Sequence, residues 1–123
     1  MELEGRTAAD VMLAEPKTLP GNATVAEVRE QLANARVQMV LLADGRAFRG
    51  TITAIPDDAE AGASALTYAD PEPEALHPGD PATLAFERSN ESPHRRAVVL
   101  DETGDLLGLV CLNSRRDGFC GFH

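Results

Sequence analysis

The 123-residue sequence predicts an α+β fold made of two tandem copies of one unit, each roughly β-α-β-β. Three observations predict it. "LPG" at residues 19–21 returns as "HPG" at 77–79, and Leu42 and Gly50 return as Leu100 and Gly108, all 58 positions on. In each copy a stretch of helical apolar period precedes a β-branched run. Each run is then followed by a turn signal and a second apolar run.

In the first copy "PKTLP" (16–20) reads as extended. Thr24 and Glu27 have the form of a capping box, in which hydroxyl and carboxylate satisfy each other's orphan backbone N–H groups. Val25, Val28 and Leu32 recur at helical spacing, which predicts a helix through about Arg36. "VQMVLLA" (37–43) is a strand, Asp44-Gly45 a hairpin turn, and Phe48 to Thr53 the returning strand. Within "GTITAIP" (50–56) the strand period puts Thr51 and Thr53 on one side and Ile52 on the other. Those hydroxyls suit either a small anionic ligand or the tying-off of a sheet edge.

The second copy repeats the order less cleanly. Asp80 reads as an N-cap, with Pro81 at the first helical position. Leu84, Ala85 and Phe86 supply apolar surface before the pattern fades into "ERSNES", and Pro93 disfavours helix at Ser92, so a short helix is expected. "AVVL" (97–100), the turn "DETG" and "LLGLVCL" (106–112) form the second hairpin. The division expected is a first repeat at 1–56, a polar connector at 57–65, and a second repeat with its tail at 66–123. Neither repeat buries its sheet alone, so the two are expected to pack together.

The net charge of −9, from 20 acidic and 11 basic residues, argues against binding a nucleic-acid polymer. Acid gathers mid-chain at Asp57, Asp58, Glu60, Asp70, Glu72 and Glu74. Base gathers later, at Arg88, Arg95, Arg96, Arg115 and Arg116, where the field reverses locally. No apolar run approaches the ~20 residues that cross a bilayer. The N-terminal "MELEGRTAAD" is acidic and unlike a signal peptide, so a cytoplasmic protein without membrane contact is expected. On that compartment argument Cys111 and Cys120, spaced C-x8-C, read as reduced thiols. His77, His94 and His123 have no neighbour in a nucleophile setting, and no phosphate-cradling glycine loop appears, so no enzyme is expected.

"AADVML" (8–13), "TLPGNATVAEV" (18–28) and "VQMVLLADGRAFRGTIT" (37–53), with "ALHPGDPATLAF" (75–86) and "RRAVVLDETGDLLGLVC" (95–111), resemble a pair of cystathionine-beta-synthase (CBS) domains, a Bateman module of stand-alone bacterial type. The resemblance covers about Thr7 to Leu112. It implies repeats packed through their sheets with pseudo-two-fold symmetry, a cleft on each side, and homodimers formed through helices. It implies regulation in place of catalysis, no required cofactor, and an effector such as AMP, ADP, ATP or S-adenosylmethionine in the inter-repeat cleft.

The family pattern ends each second strand with glycine, a hydroxyl residue three further on for phosphate, and an aspartate three beyond for ribose. A carboxylate suits ribose because it accepts two charge-assisted hydrogen bonds. The first copy reads Gly50, Thr53, Pro56, with Asp57 one position late. The second reads Gly108, Cys111, Ser114, with Asn113 beside it. Arg95 and Arg96, leading into Ala97 and Val98, are the phosphate candidates, and at most one of them faces a given side of a strand. Their first-copy counterparts are Arg36 and Gln38. Leu19 and Val40, with Thr18 alongside, and Leu76 and Val98 are adenine walls by position and ordinary core by residue type. Two alternatives stand beside the sensor: a degenerate pair that only dimerises or binds an unknown protein, and a metal or redox site at Cys111, Cys120 and His123. Phe119 and Phe122 read as anchors for the tail.

Overall fold

The computed structural model describes residues 3–35 and 37–120. Its elements are α1 (Ala8–Val11), β1 (Leu13–Ala14), β2 (Thr18–Leu19), α2 (Val25–Leu32), β3 (Val40–Asp44), β4 (Ala47–Ile52), a 3₁₀ turn (Ala65–Tyr68), β5 (Ala75–Leu76), α3 (Ala82–Glu91), β6 (Arg96–Leu100) and β7 (Leu106–Cys111). The α+β class expected from sequence is present. Two compact units result, one of residues 17–73 and one in which the segment up to Pro16 joins residues 74 onward.

In the 17–73 unit the capping box forms as expected. The Glu27 N–H donates to Thr24 Oγ1 (3.3 Å) and the Thr24 N–H to Glu27 Oε1 (3.2 Å). The helix stops at Leu32, short of Arg36, which lies outside the described residues. Two tight turns replace its last part, with the Asn34 N–H on the Gln31 carbonyl and the Val37 N–H on that of Asn34. The strand therefore starts at Val40 and not at Val37. β3 lies between a parallel β2 and an antiparallel β4. Val28, Val40, Leu42 and Ile52 pack with Ala23 and Ala65 as this unit's core.

The other unit orders its strands β1-β7-β6-β5. Ala8, Val11, Leu76, Ala82, Ala85, Ala97, Val99, Val110, Leu112 and Phe119 form its core. Two expectations are corrected here. The N-cap of α3 is Pro81, because the Asp80 carboxylate turns back to accept from the His77 N–H (2.8 Å). α3 is also not short: its ten residues run to Glu91, since Ala82, Ala85 and Ser89 bury one face despite the polar sequence around them. Ser92 is extended, as the following proline requires.

The repeat is better measured by element than by letter. α1 and the 3₁₀ turn, β2 and β5, and the starts of α2 and α3 are 57 residues apart, whereas Gly50 and Gly108 are 58 apart. Both hairpins carry a bulge just before the turn, after Leu42 and after Val99, which places those two residues opposite Gly50 and Gly108. The elements ahead of each repeat pair with the last strand of the other. β1 runs antiparallel to β7, and Asp70 bridges Thr51 of β4 through backbone bonds of 3.0 and 2.8 Å. Thr51 thus ties off a sheet edge.

The two cysteines are not free thiols. Cys111 and Cys120 form a disulfide, with their Cα atoms 5.2 Å apart. The compartment argument concerned redox poise and carried no information on geometry, which here is set by the chain turning back after β7. Leu112 and Phe119 bridge antiparallel, and the Cys120 N–H donates to the Cys111 carbonyl (2.6 Å). The Phe119 ring meets that of Phe86 edge-on, with centroids 6.2 Å apart. Phe122 and His123 lie outside the described residues.

A Cβ at Gly50 would stand 2.8 Å from Ala69 Cβ and 3.0 Å from the Asp70 carbonyl, on a backbone with φ of 150°. At Gly108 it would meet the Met12 side chain and the Leu13 carbonyl, the latter at 2.8 Å. Gly50→Ala and Gly108→Ala are each expected to cost about 1–3 kcal/mol by overpacking a strand edge. Gly62→Ala, open on all sides, is the control. Urea denaturation measures all three.

The Asp101 carboxylate holds the β6–β7 turn. It accepts from the Thr103 hydroxyl (2.7 Å) and from the Thr103 and Asp105 N–H groups (2.8 and 2.9 Å). The Thr103 hydroxyl, then the Asp105 N–H, lower its pKa from 3.8. A depressed folded pKa gives stability that is complete above the unfolded value and lost as pH falls through the folded one. The thermal midpoint is therefore expected to fall below about pH 4, and Asp101→Asn should lower it at neutral pH while flattening that acid limb.

Candidate functional site

The second copy's candidate residues meet where β6 begins and β7 ends. Arg96 opens β6 directly across from Cys111, the last residue of β7. Alternation along the pair puts Ala97, Val99, Val110 and Leu112 on the helix-facing core. Arg96, Val98, Leu109 and Cys111 are left on the other face, where Val98 is fully buried. Of the two arginines, Arg96 is thus the one carried by the strand. Arg95 sits just before it in the left-handed region (φ 60°), and its carbonyl accepts from the Leu112 N–H (2.8 Å).

The Arg96 guanidinium is half-buried, and its Nη1 donates to the His94 carbonyl (2.6 Å). Among the described residues neither it nor Arg95 has an acidic partner. Burial, then the neighbouring Arg95 charge, push the Arg96 pKa below the ordinary guanidinium value. That combination is a partly dehydrated cation without an anion.

Other members of the set are already engaged. Cys111 is spent in the disulfide. Asn113 donates from Nδ2 to Asp117 Oδ1 (2.9 Å) and accepts the Asp117 N–H at Oδ1 (3.3 Å). Ser114 is exposed beside them. With both sulfurs bonded to each other, neither is available as a zinc thiolate, and the described residues hold no cluster of three metal-ligating side chains.

In the first copy, Thr53 is half-buried just beyond β4, and Asp57 is exposed. The β4 exit is held by a residue that sequence reasoning did not single out. Arg29 of α2 donates from Nη2 to the carbonyls of Pro56 (3.0 Å), Asp57 (3.3 Å) and Ala59 (2.9 Å). Its only sequence signal was a cation in the last helical turn. Gln38 donates to the Ala35 carbonyl (3.2 Å). Val40 and Leu76 lie in the helix-facing cores, Leu19 packs against the first of them, and Thr18 is half-buried beside it. The structure brings Arg96, Val98 and Cys111 onto one face. It does not bring Val40 or Leu76 onto the corresponding faces.

A cavity of about 600 Å³ lies at the far end of β6, between the His77–Asp80 loop and the Asp101–Thr103 turn. None of the candidate residues lines it.

Comparison with known proteins bears on both copies. A family model described as the CBS domain matches residues 8–55. No curated protein sequence matches. Among solved structures, the CBS-pair protein CBSX2 from Arabidopsis thaliana superposes with a TM-score of 0.74 at 18% identity, covering 87% of this chain and 89% of that one. CBSX2 in complex with AMP gives 0.72 at 18%, covering 91% and 92%. The CBS domain of a bacterial CNNM/CorC family Mg2+ transporter, in complex with ATP, gives 0.69 at 19%, covering 89% and 84%. Residues 8–55 thus match the CBS-domain model, and the chain as a whole has the fold of a CBS domain pair.

Proposed function

We propose that this chain is a regulatory module that senses a small molecule, and that its effector is an adenine nucleotide (AMP, ADP or ATP) or a related adenosyl compound such as S-adenosylmethionine. Arg96 carries the reading. A half-buried guanidinium with no acidic partner among the described residues loses hydration without recovering it from a carboxylate there. A phosphate oxygen pair restores what is lost, and the planar fork suits it better than an ammonium would. Val98 and Ala97 lie next to it in β6, and Thr53 supplies the corresponding hydroxyl in the first copy. The AMP and ATP complexes of proteins with this fold add support. Regulation without catalysis is part of the same reading.

A second reading has its own observation. Pro56 stands where the ribose carboxylate belongs, and Arg29 fixes the following backbone by three hydrogen bonds. Cys111 and Asn113 are likewise committed within the chain. A pair emptied of ligand contacts would act through dimerisation or through an unknown protein partner.

Thermal midpoints with AMP, ADP, ATP, S-adenosylmethionine and NADH separate the two readings. A ligand at 100 times its dissociation constant adds about 2.7 kcal/mol. For a chain of this size that raises the midpoint by several degrees, at roughly 3–6 °C per kcal/mol. The expected result is a rise with a phosphate-bearing adenine ligand that Arg96→Ala abolishes and Arg95→Ala leaves in part. A flat response throughout moves the assignment to the partner-binding module.

A further inference from the structure

The family-pattern position at the end of β7 is filled by half of a disulfide, and the other half comes from a tail that closes over the same strand end. We infer that Cys111–Cys120 is a thiol–disulfide exchange site for a dithiol reductant, and that its opening releases residues 113–118, short of the buried Phe119, and raises the affinity of the Arg96 face for an anionic ligand. The ligand part rests on the nucleotide reading above; the exchange part does not.

The first support is position. Cys111 is the third residue after Gly108, as Thr53 is after Gly50, so one copy offers a hydroxyl where the other offers a bonded sulfur. It is also the register partner of Arg96. Closing the bond thus removes a donor next to a cation that has no acidic partner among the described residues, and opening it restores a thiol there.

The second support is what the bond encloses. Between the cysteines the chain forms a set of hydrogen bonds centred on Asn113. The Asn113 N–H donates to the Gly118 carbonyl (2.9 Å), the Arg116 N–H to the Asn113 carbonyl (3.0 Å), and Asn113 and Asp117 exchange side-chain bonds. Asn113, itself a candidate ligand contact, is consumed by this closed loop. Its outer attachments are few: Arg116 Nη1 to the Asn90 carbonyl (2.6 Å) and Oδ1 (3.0 Å), and Phe119 in the core.

The third support is access. Cys111 is 4% exposed, whereas Cys120 is half-buried and nearer the surface. An incoming thiolate therefore attacks Cys120 Sγ. The S–S bond breaks, and its electron pair leaves on Cys111 Sγ as a thiolate. The Cys111 thiolate then takes up the proton that the incoming thiol gave up, which leaves a donor thiol across from Arg96. The reductant's second thiol then loses its proton and attacks its own sulfur in the mixed disulfide, and Cys120 leaves as a thiolate. One protein disulfide and one dithiol become one protein dithiol and one cyclic disulfide, a transfer of two electrons and two protons.

The test compares the full chain oxidised and after dithiothreitol, alkylated with iodoacetamide and checked by intact mass. Trypsin cleavage after Arg115 and Arg116 reads tail release, and titration with ATP reads the ligand face. The expected result is cleavage at least tenfold faster and ATP binding at least tenfold tighter in the reduced chain, reproduced by Cys120→Ser. The double variant C111T, C120S, which puts the first copy's hydroxyl in the second, keeps the test open should alkylation or the single variant perturb folding. A tail equally resistant in both states overturns the exchange site whatever ATP does. Equal ATP binding in both states overturns the gating and leaves the nucleotide reading intact. A tail that opens while ATP binds in neither state supports the exchange site and sinks the nucleotide reading.

Discussion

Each three-element sheet in this chain would end at the outer edge of its second hairpin strand, and an unpaired edge leaves backbone groups with no partner. The structure closes both edges in the same way, by laying the segment that precedes one repeat against the last strand of the other. β1 closes β7, and the Thr51–Asp70 bridge closes β4. Closure depends on two glycines, because the incoming backbone occupies the space where a side chain would begin. Much else follows from it. α1 must pack with α3, and its capping box of Thr7 and Asp10, with a 2.8 Å bond from the Thr7 N–H, is set at the start of that segment. The chain must also leave one unit at Pro16 and return to it after Pro73.

This exchange explains which parts of the fold were legible in the sequence. Periodicity identified both hairpins and the α2 cap, since those rest on contacts within ten residues or so. It identified Gly50 and Gly108 as an echo without giving the reason, because the neighbours that require them lie outside each hairpin. Leu13 stands 95 positions before Gly108, and Ala69 stands 19 after Gly50. The extent of α3 was missed for a related reason: "ERSNE" is polar in sequence, yet Ser89 is fully buried on the same helix face as Ala82 and Ala85. Asp80 misled because a carboxylate ahead of a helix caps equally well by turning back on its own loop, as it does toward His77.

The candidate site was legible as a set of positions and not as a set of commitments. The family pattern, counted from the glycines, pointed to Thr53 and Cys111, and strand alternation allowed at most one of Arg95 and Arg96 on a given face. What spacing does not carry is competition for the same atoms. Arg29 takes three loop carbonyls after β4, Asp117 takes the Asn113 amide, and Cys120 takes the Cys111 sulfur. Each competitor lies outside the family pattern, so the pattern gives no reason to look at it. The two copies thereby diverge in chemistry while keeping one backbone plan. The first is a hydroxyl beside a clamped, acidic loop, and the second is a cation beside a bonded sulfur.

The tail shows why such divergence need not endanger the fold. It is attached on the two faces of one sheet by unlike means. Phe119 and Leu112 belong to the helix-side core, where Phe119 meets Phe86. Cys111 lies on the opposite face with Arg96 and Val98, so the disulfide holds the tail from that side. Burial of an aromatic ring does not depend on redox conditions, and a disulfide does. Loss of the sulfur bond therefore loosens the tail on the face that carries Arg96 and leaves the apolar anchor in place on the other. A chain of 123 residues has little core to spare, and this division keeps the labile attachment out of it.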